Sequence, residues 1–215
     1  MGYCRPRWIS DYTYEAVIPR LRRDSQVWDW NHERVQNSLL VWGEISAEGE
    51  ITLDPSVEMP MRPARPDDRG SSTVQGFDEN GSLLFSYRFD PEIVPHLEGT
   101  GHFVFALPLS EIGGRQPETV RVESAGRVAE RRSRIPREAR PEGHVRRQSV
   151  ARGEEFSWNV ADHPMAVMRD RRTGRILSFS RSGRVVFPAA DAADVEVILS
   201  DGVRSHIVPA TEVRR

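Results

Sequence analysis

Beyond Asn37 the apolar residues fall mostly at every second position, in short runs separated by turn residues, roughly one run every ten residues. "SLLVWGEISAEGEITLD" reads as two strands joined by a turn at Ala47 to Gly49. "STVQGFDENGSLLFSYRFD" reads as a hairpin about Asn80-Gly81, a dipeptide suited to the positive φ angles of a tight turn. "HFVFALPL" places Phe103, Phe105 and Leu107 on one side, and "ETVRVES" alternates again. A second β-rich stretch follows: "MAVMRDRRTGRILSFS", with a hairpin over Arg172 to Gly174, then "GRVVFP", "DVEVILS" and "GVRSHIV" after an Asp201-Gly202 turn.

A period near 3.6 occurs once, close to the start. Tyr14, Val17, Ile18 and Leu21 share one helical face; Ser10 and Asp11 offer N-caps, and Arg20, Arg22 and Arg23 suit the C-terminal dipole. Pro19 removes the bond to the Glu15 carbonyl and predicts a kink. The expected fold is therefore mainly β: an antiparallel sandwich of immunoglobulin or fibronectin type III character with one N-terminal helix and a short C-terminal β-rich segment. The expected divisions are 1–36 for the helical opening, 37–125 for the sandwich, 126–149 for an Arg-rich linker or exposed strand, and 150–215 for the C-terminal segment. That last segment either completes the sandwich or forms a small appended sheet.

Composition narrows the function classes. Apolar residues are 38% of the 215, charged residues 29%, and the net charge is -2, which provides no global drive toward nucleic acid or anionic membrane. All 30 basic residues are Arg, and their spread along the whole chain points to genome composition rather than to one site. The densest run, "RVAERRSRIPREARPEGHVRRQSVAR", interleaves no Phe, Tyr or Trp of the kind that stacks on bases; it reads as solvated, and no nucleic-acid partner is expected. No apolar run approaches the roughly 20 residues of a membrane helix, and no signal peptide is read at the start.

Candidate chemistry is sparse. His32, His96, His102, His144, His163 and His206 include no pair four apart, so no helix face offers two imidazoles to a metal; His96 and His102 alone could meet, at a strand end. No complete zinc site is expected from these residues. There is no G-x-S-x-G elbow, and Cys4, the single cysteine, has no base nearby in sequence and no internal disulfide partner. "EGTGHF" and "EIGGRQ" match no phosphate loop. Asp67-Asp68, Asp78-Glu79, Asp90 and Asp201 stand at turns, where Asp caps backbone N–H groups.

The opening stretch "MGYCRPRWISDYTY" resembles the Met-turn and C-terminal helix of bacterial, metzincin-like secreted zinc metallopeptidases. "LLVWGEI", "HPMAVMRDRRTGRILSF" and "LSDGVRS" resemble the β-domains that trail such enzymes. The resemblance implies that Met1 is the hydrophobic floor beneath a zinc site and that Tyr3 is the Met-x-Tyr tyrosine, able in related enzymes to ligate zinc or stabilise an oxyanion. It implies that Cys4 pairs with an upstream cysteine, and that 1–36 is a remnant of a catalytic domain whose H-E-x-x-H-x-x-G-x-x-H segment lay upstream. The expected full-length protein is extracellular and hydrolyses peptide bonds with zinc-activated water; its partners are protein or peptide substrates, with no membrane partner. The chain alone, lacking the zinc ligands and the catalytic Glu, is expected to be inactive and to hold no cofactor. The alternative is a non-catalytic β-sandwich module that binds protein or polysaccharide.

Overall fold

The computed structural model describes residues 34–93, 99–134 and 145–212. The expected helix, with Met1, Tyr3 and Cys4, lies outside the described residues, as do His32, His96 and His144. The described chain is mainly β. In order it runs through β1 (Gln36–Ile45), β2 (Ile51–Leu53), β3 (Val57–Met61), β4 (Ser72–Phe77), β5 (Leu83–Phe89), β6 (Glu92–Ile93), β7 (Gly101–Pro108), β8 (Thr119–Ser124) and β9 (Arg127–Arg132). It continues through β10 (Val145–Val150), β11 (Gly153–Ser157), β12 (Met165–Asp170), β13 (Ile176–Ser180), β14 (Arg184–Phe187), β15 (Val195–Ser200), β16 (Ser205–Val208) and β17 (Ala210–Glu212). Short helical turns occur at Leu109–Ile112 and Ala189–Ala192.

These strands make four sheets. The first has the order β2-β1-β7-β6, with β3 also pairing β1; the second is β5-β4-β8-β9; the third is β13-β12-β15-β16; the fourth is β14-β11-β10-β17. Pairings are antiparallel except β10 with β17. The first and second sheets supply one core: Leu39, Val41, Phe103, Phe105 and Leu107 from one side meet Val74, Phe85, Phe89, Val120 and Val122 from the other. The rings of Phe89 and Phe105 meet edge-on at 5.0 Å. Third and fourth sheets share another core, built on Val145, Phe156, Ala166, Met168, Val197 and Leu199.

Strands β1 and β12 are buried on both faces along part of their length, which explains why their sequences are continuously apolar there rather than alternating. In β12 the run Met165-Ala166-Val167-Met168 is fully buried; in β1 Leu39 and Val41 face the first core while Trp42 points the other way. The Trp42 ring lies 6.0 Å from Phe179 of β13 and beneath the Arg181 guanidinium, which is 5.3 Å away and bonded to Asp54 at 2.7 Å. Its indole N–H donates to the Pro55 carbonyl at 3.0 Å. An amphipathic ring is thereby covered on its face and satisfied at its polar tip.

Local chemistry accounts for the turns. Between β4 and β5 the loop spans Asp78 to Ser82, longer than a two-residue hairpin, and only Gly81 takes a positive φ, of 74°. The Asp78 carboxylate holds it by accepting from the Asn80 and Ser82 amides at 2.9 and 2.8 Å. Gly76 is required for a different reason: a Cβ there would stand 2.1 Å from the Phe85 ring lying across it.

The β8–β9 connection is a tight two-residue hairpin, with Ser124 paired to Arg127 and both Ala125 (φ 49°) and Gly126 (φ 77°) left-handed. Ala has no side-chain compensation for that conformation, which costs an L-residue about 1–2 kcal/mol. Ala125→Asn, at this exposed position, is expected to stabilise by about 0.5 kcal/mol and to raise the melting temperature by about 1–2 °C in a calorimetric scan.

Candidate functional site

The polar groups of the described residues concentrate where the β15–β16 turn meets the first sheet pair. Asp201 opens that turn. Its Oδ1 accepts from the Val203 and Arg204 amides at 3.0 and 2.8 Å, the local cap for which a short carboxylate is suited. Its Oδ2 accepts from the Ser133 hydroxyl at 2.6 Å, tying the turn to the end of β9. Gly202 follows with φ 117°, and its carbonyl accepts from the Ser56 amide at 3.0 Å. The Ser200 hydroxyl donates to the Ser56 carbonyl. Val203, fully buried, enters the core of the first and second sheets although its strands belong to the third.

On the far side of the turn, Ser205 Oγ accepts from the Glu58 amide at 2.6 Å and donates back to the Glu58 carbonyl at 3.2 Å. The Glu58 side chain stands on the same face of its sheet as Leu39. One carboxylate oxygen accepts from the Gln116 amide at 2.7 Å; the other is buried and makes no hydrogen bond. Burial, followed by the neighbouring Asp201 charge, pushes this carboxyl up to about 7 against the opposing pull of Gln116 and Arg204. Arg204 pairs with Glu118 of the loop before β8.

Beside this seam opens a recess of about 490 Å³, lined among others by Phe77, Glu118, Arg121, Glu130 and Arg132. One carboxylate organises it. Glu130 accepts from Arg121 at 2.8 and 3.0 Å and from Arg132 at 2.6 Å, contacts that hold it below the usual carboxylate range, Arg121 contributing most. The Arg121 guanidinium also lies 5.1 Å from the centre of the Phe77 ring. The recess thus presents guanidinium donors, carboxylate acceptors and an aromatic surface, groups of the kind that orient a polar ligand.

The turn-capping roles expected of the aspartates are seen at Asp78 and Asp201, whereas the Asp68 and Asp90 carboxylates accept from distant amides, those of Arg88 at 3.0 Å and Ser71 at 2.9 Å. His102 lies on β7, paired with Glu44 and Glu92 across the sheet. His163 and His206 meet, ring centres 5.2 Å apart and edge-on, although 43 positions separate them in the chain. Among the described residues no three His, Cys, Asp or Glu side chains gather in a metal-holding group. Glu58, Gln116, Arg204 and Ser133 come together only through strand order, and their sequence contexts carry no signal of it. Comparison with protein-family models, with curated proteins and with solved structures produced no match.

Proposed function

We propose that the chain is the C-terminal, non-catalytic part of a secreted zinc metallopeptidase, its first two sheets forming an immunoglobulin- or fibronectin III-like sandwich. The observation that carries this is the stretch Met1-Gly2-Tyr3-Cys4 with Trp8 and Ser10 to Tyr14, which resembles a Met-turn running into the C-terminal helix of that family. The family's zinc helix precedes this turn in the chain, and no H-E-x-x-H occurs among the 215 residues. Zinc in the full-length parent would polarise the peptide carbonyl and activate water. Met1 would floor that site and Tyr3 would face the tetrahedral oxyanion.

The purified 215-residue chain should contain no stoichiometric zinc and show no chelator-sensitive proteolysis. In-frame coding sequence upstream should contain H-E-x-x-H. A single tightly held zinc together with chelator-sensitive cleavage by the chain alone would overturn the proposal.

A second reading, a non-catalytic module that binds protein or polysaccharide, is favoured by the recess at Glu130, where Arg121 and Arg132 both donate to one carboxylate and Arg121 lies over Phe77. Peptide and glycan arrays probed with the full chain test it: retention lost in Arg121→Ala supports the recess as the binding surface, and equal retention of variant and parent removes it.

A further inference from the structure

The contact between His163 and His206 has a location that gives it consequences. His206 lies on β16, one residue past the Ser205 that clasps Glu58; His163 lies in the loop between β11 and β12. His163 is 3% exposed, its carbonyl accepts from the Trp158 indole at 3.1 Å and its amide donates to the Asn159 carbonyl at 3.0 Å, so the ring is held in place from the backbone. His163 Nδ1 and His206 Nε2 are both buried without a hydrogen-bond partner. A second proton on either ring at those atoms finds no acceptor and faces another imidazole.

We propose that this imidazole pair is an acid-sensitive joint: proton uptake by either ring loosens the β15–β16 hairpin from the 159–164 loop and, through the hairpin, withdraws Val203 from the first core. The rings are suited to this because neutral imidazoles pack as apolar plates, whereas an imidazolium in the same space is desolvated and repelled by its neighbour.

Charged groups flank the pair from several elements. Asp162 lies beside His163, and Asp201, on the hairpin turn, favours the charged form of both rings. Asp201 is already engaged by the Val203 and Arg204 amides and by Ser133. Arg134 is bonded to the Ala161 carbonyl, Arg131 lies alongside Gly202, and Arg204 and Glu58 flank the turn on its other side. Burial outweighs the carboxylates and holds both imidazoles below their ordinary range.

With the folded-state value depressed, the unfolded chain binds protons first. Stability is therefore intact above about pH 6.5 and falls as the pH drops below it. Glu58, whose carboxyl is raised, changes stability in the opposite direction over the same range, so the sign of the effect separates the two groups.

Amide hydrogen exchange on the full chain between about pH 7 and about pH 5, corrected for intrinsic rates, tests the joint. Protection of the Ile198–Val208 amides is expected to fall severalfold relative to β4 as the pH drops, because the opened hairpin takes up protons that the closed pair excludes. The doubly substituted His163→Gln, His206→Gln chain should lose that dependence. Hairpin protection that tracks β4 at every pH, or a double variant that keeps the wild-type dependence, overturns the proposal. Should the double variant fail to fold, NMR titration of the two rings in the unaltered chain decides: midpoints below the ordinary histidine value support the joint, and midpoints at or above it refute it.

Discussion

Val203→Asp lowers the stability of the full chain by about 4 kcal/mol, and both sheet pairs lose it together. A carboxylate at a fully buried position among Leu, Val and Phe side chains must be desolvated or protonated, at a cost of several kcal/mol. Val203→Ala removes two methyl groups and costs about 2 kcal/mol, transfer and cavity together. The position matters because Val203 sits between β15 and β16 of the third sheet while its side chain completes the core of the first and second. Urea denaturation measures the loss. Hydrogen exchange at β7 and β11 locates it: amides of both strands are expected to exchange faster in Val203→Asp. Unchanged protection in β11 would show that the two cores unfold separately and that the hairpin is a decoration.

Glu58→Gln makes the chain more stable at alkaline pH and leaves it unchanged in acid. The carboxyl is raised from its ordinary 4.5 to about 7, so between those values the folded chain keeps a proton that the unfolded chain has released. Stability therefore falls as pH rises through this interval, and the loss is complete above about pH 7. The difference amounts to about 3–4 kcal/mol at pH 8, since the rise from 4.5 to about 7 spans two to three pKa units of about 1.4 kcal/mol each. Gln keeps the shape and can still bond Gln116, but carries no charge to desolvate beside Asp201. Denaturation midpoints at about pH 4 and pH 8 provide the check. Parallel pH profiles for the two proteins would mean that Glu58 does not titrate in this range. Glu58 and the histidine pair act in opposite directions over the same interval, so their contributions partly offset each other below about pH 7 and neither changes stability above it.

Much of the strand content is legible without coordinates. Phe103, Phe105 and Leu107 alternate in sequence, and Phe103, Phe105 and Leu107 line one core; "VRV" in β8 does the same with Val120 and Val122. In such strands the largest apolar side chains fall on one face, and the period of two reports that directly. "LLVW" and "MAVM" are harder to place, because a strand covered on both faces loses its alternation and its sequence says only that it is central. The "ENG" signal marks its turn correctly, but the loop is longer than two residues, because the Asp78 carboxylate captures two amides and widens it.

Local order thus determines for this protein that it is built of strands, where the turns fall and which residues can cap them, since these follow from side-chain period and backbone preference over a few neighbouring positions. The stretch at Met1 to Tyr14 carries the resemblance on which the proposed function rests. The tertiary structure alone decides that Glu58, Gln116, Ser133, Asp201 and Arg204 share one seam, that His163 touches His206, and that Val203 belongs to a core other than that of its own sheet. These are contacts between strands far apart in the chain, set by sheet order and packing, and no short-range pattern encodes them.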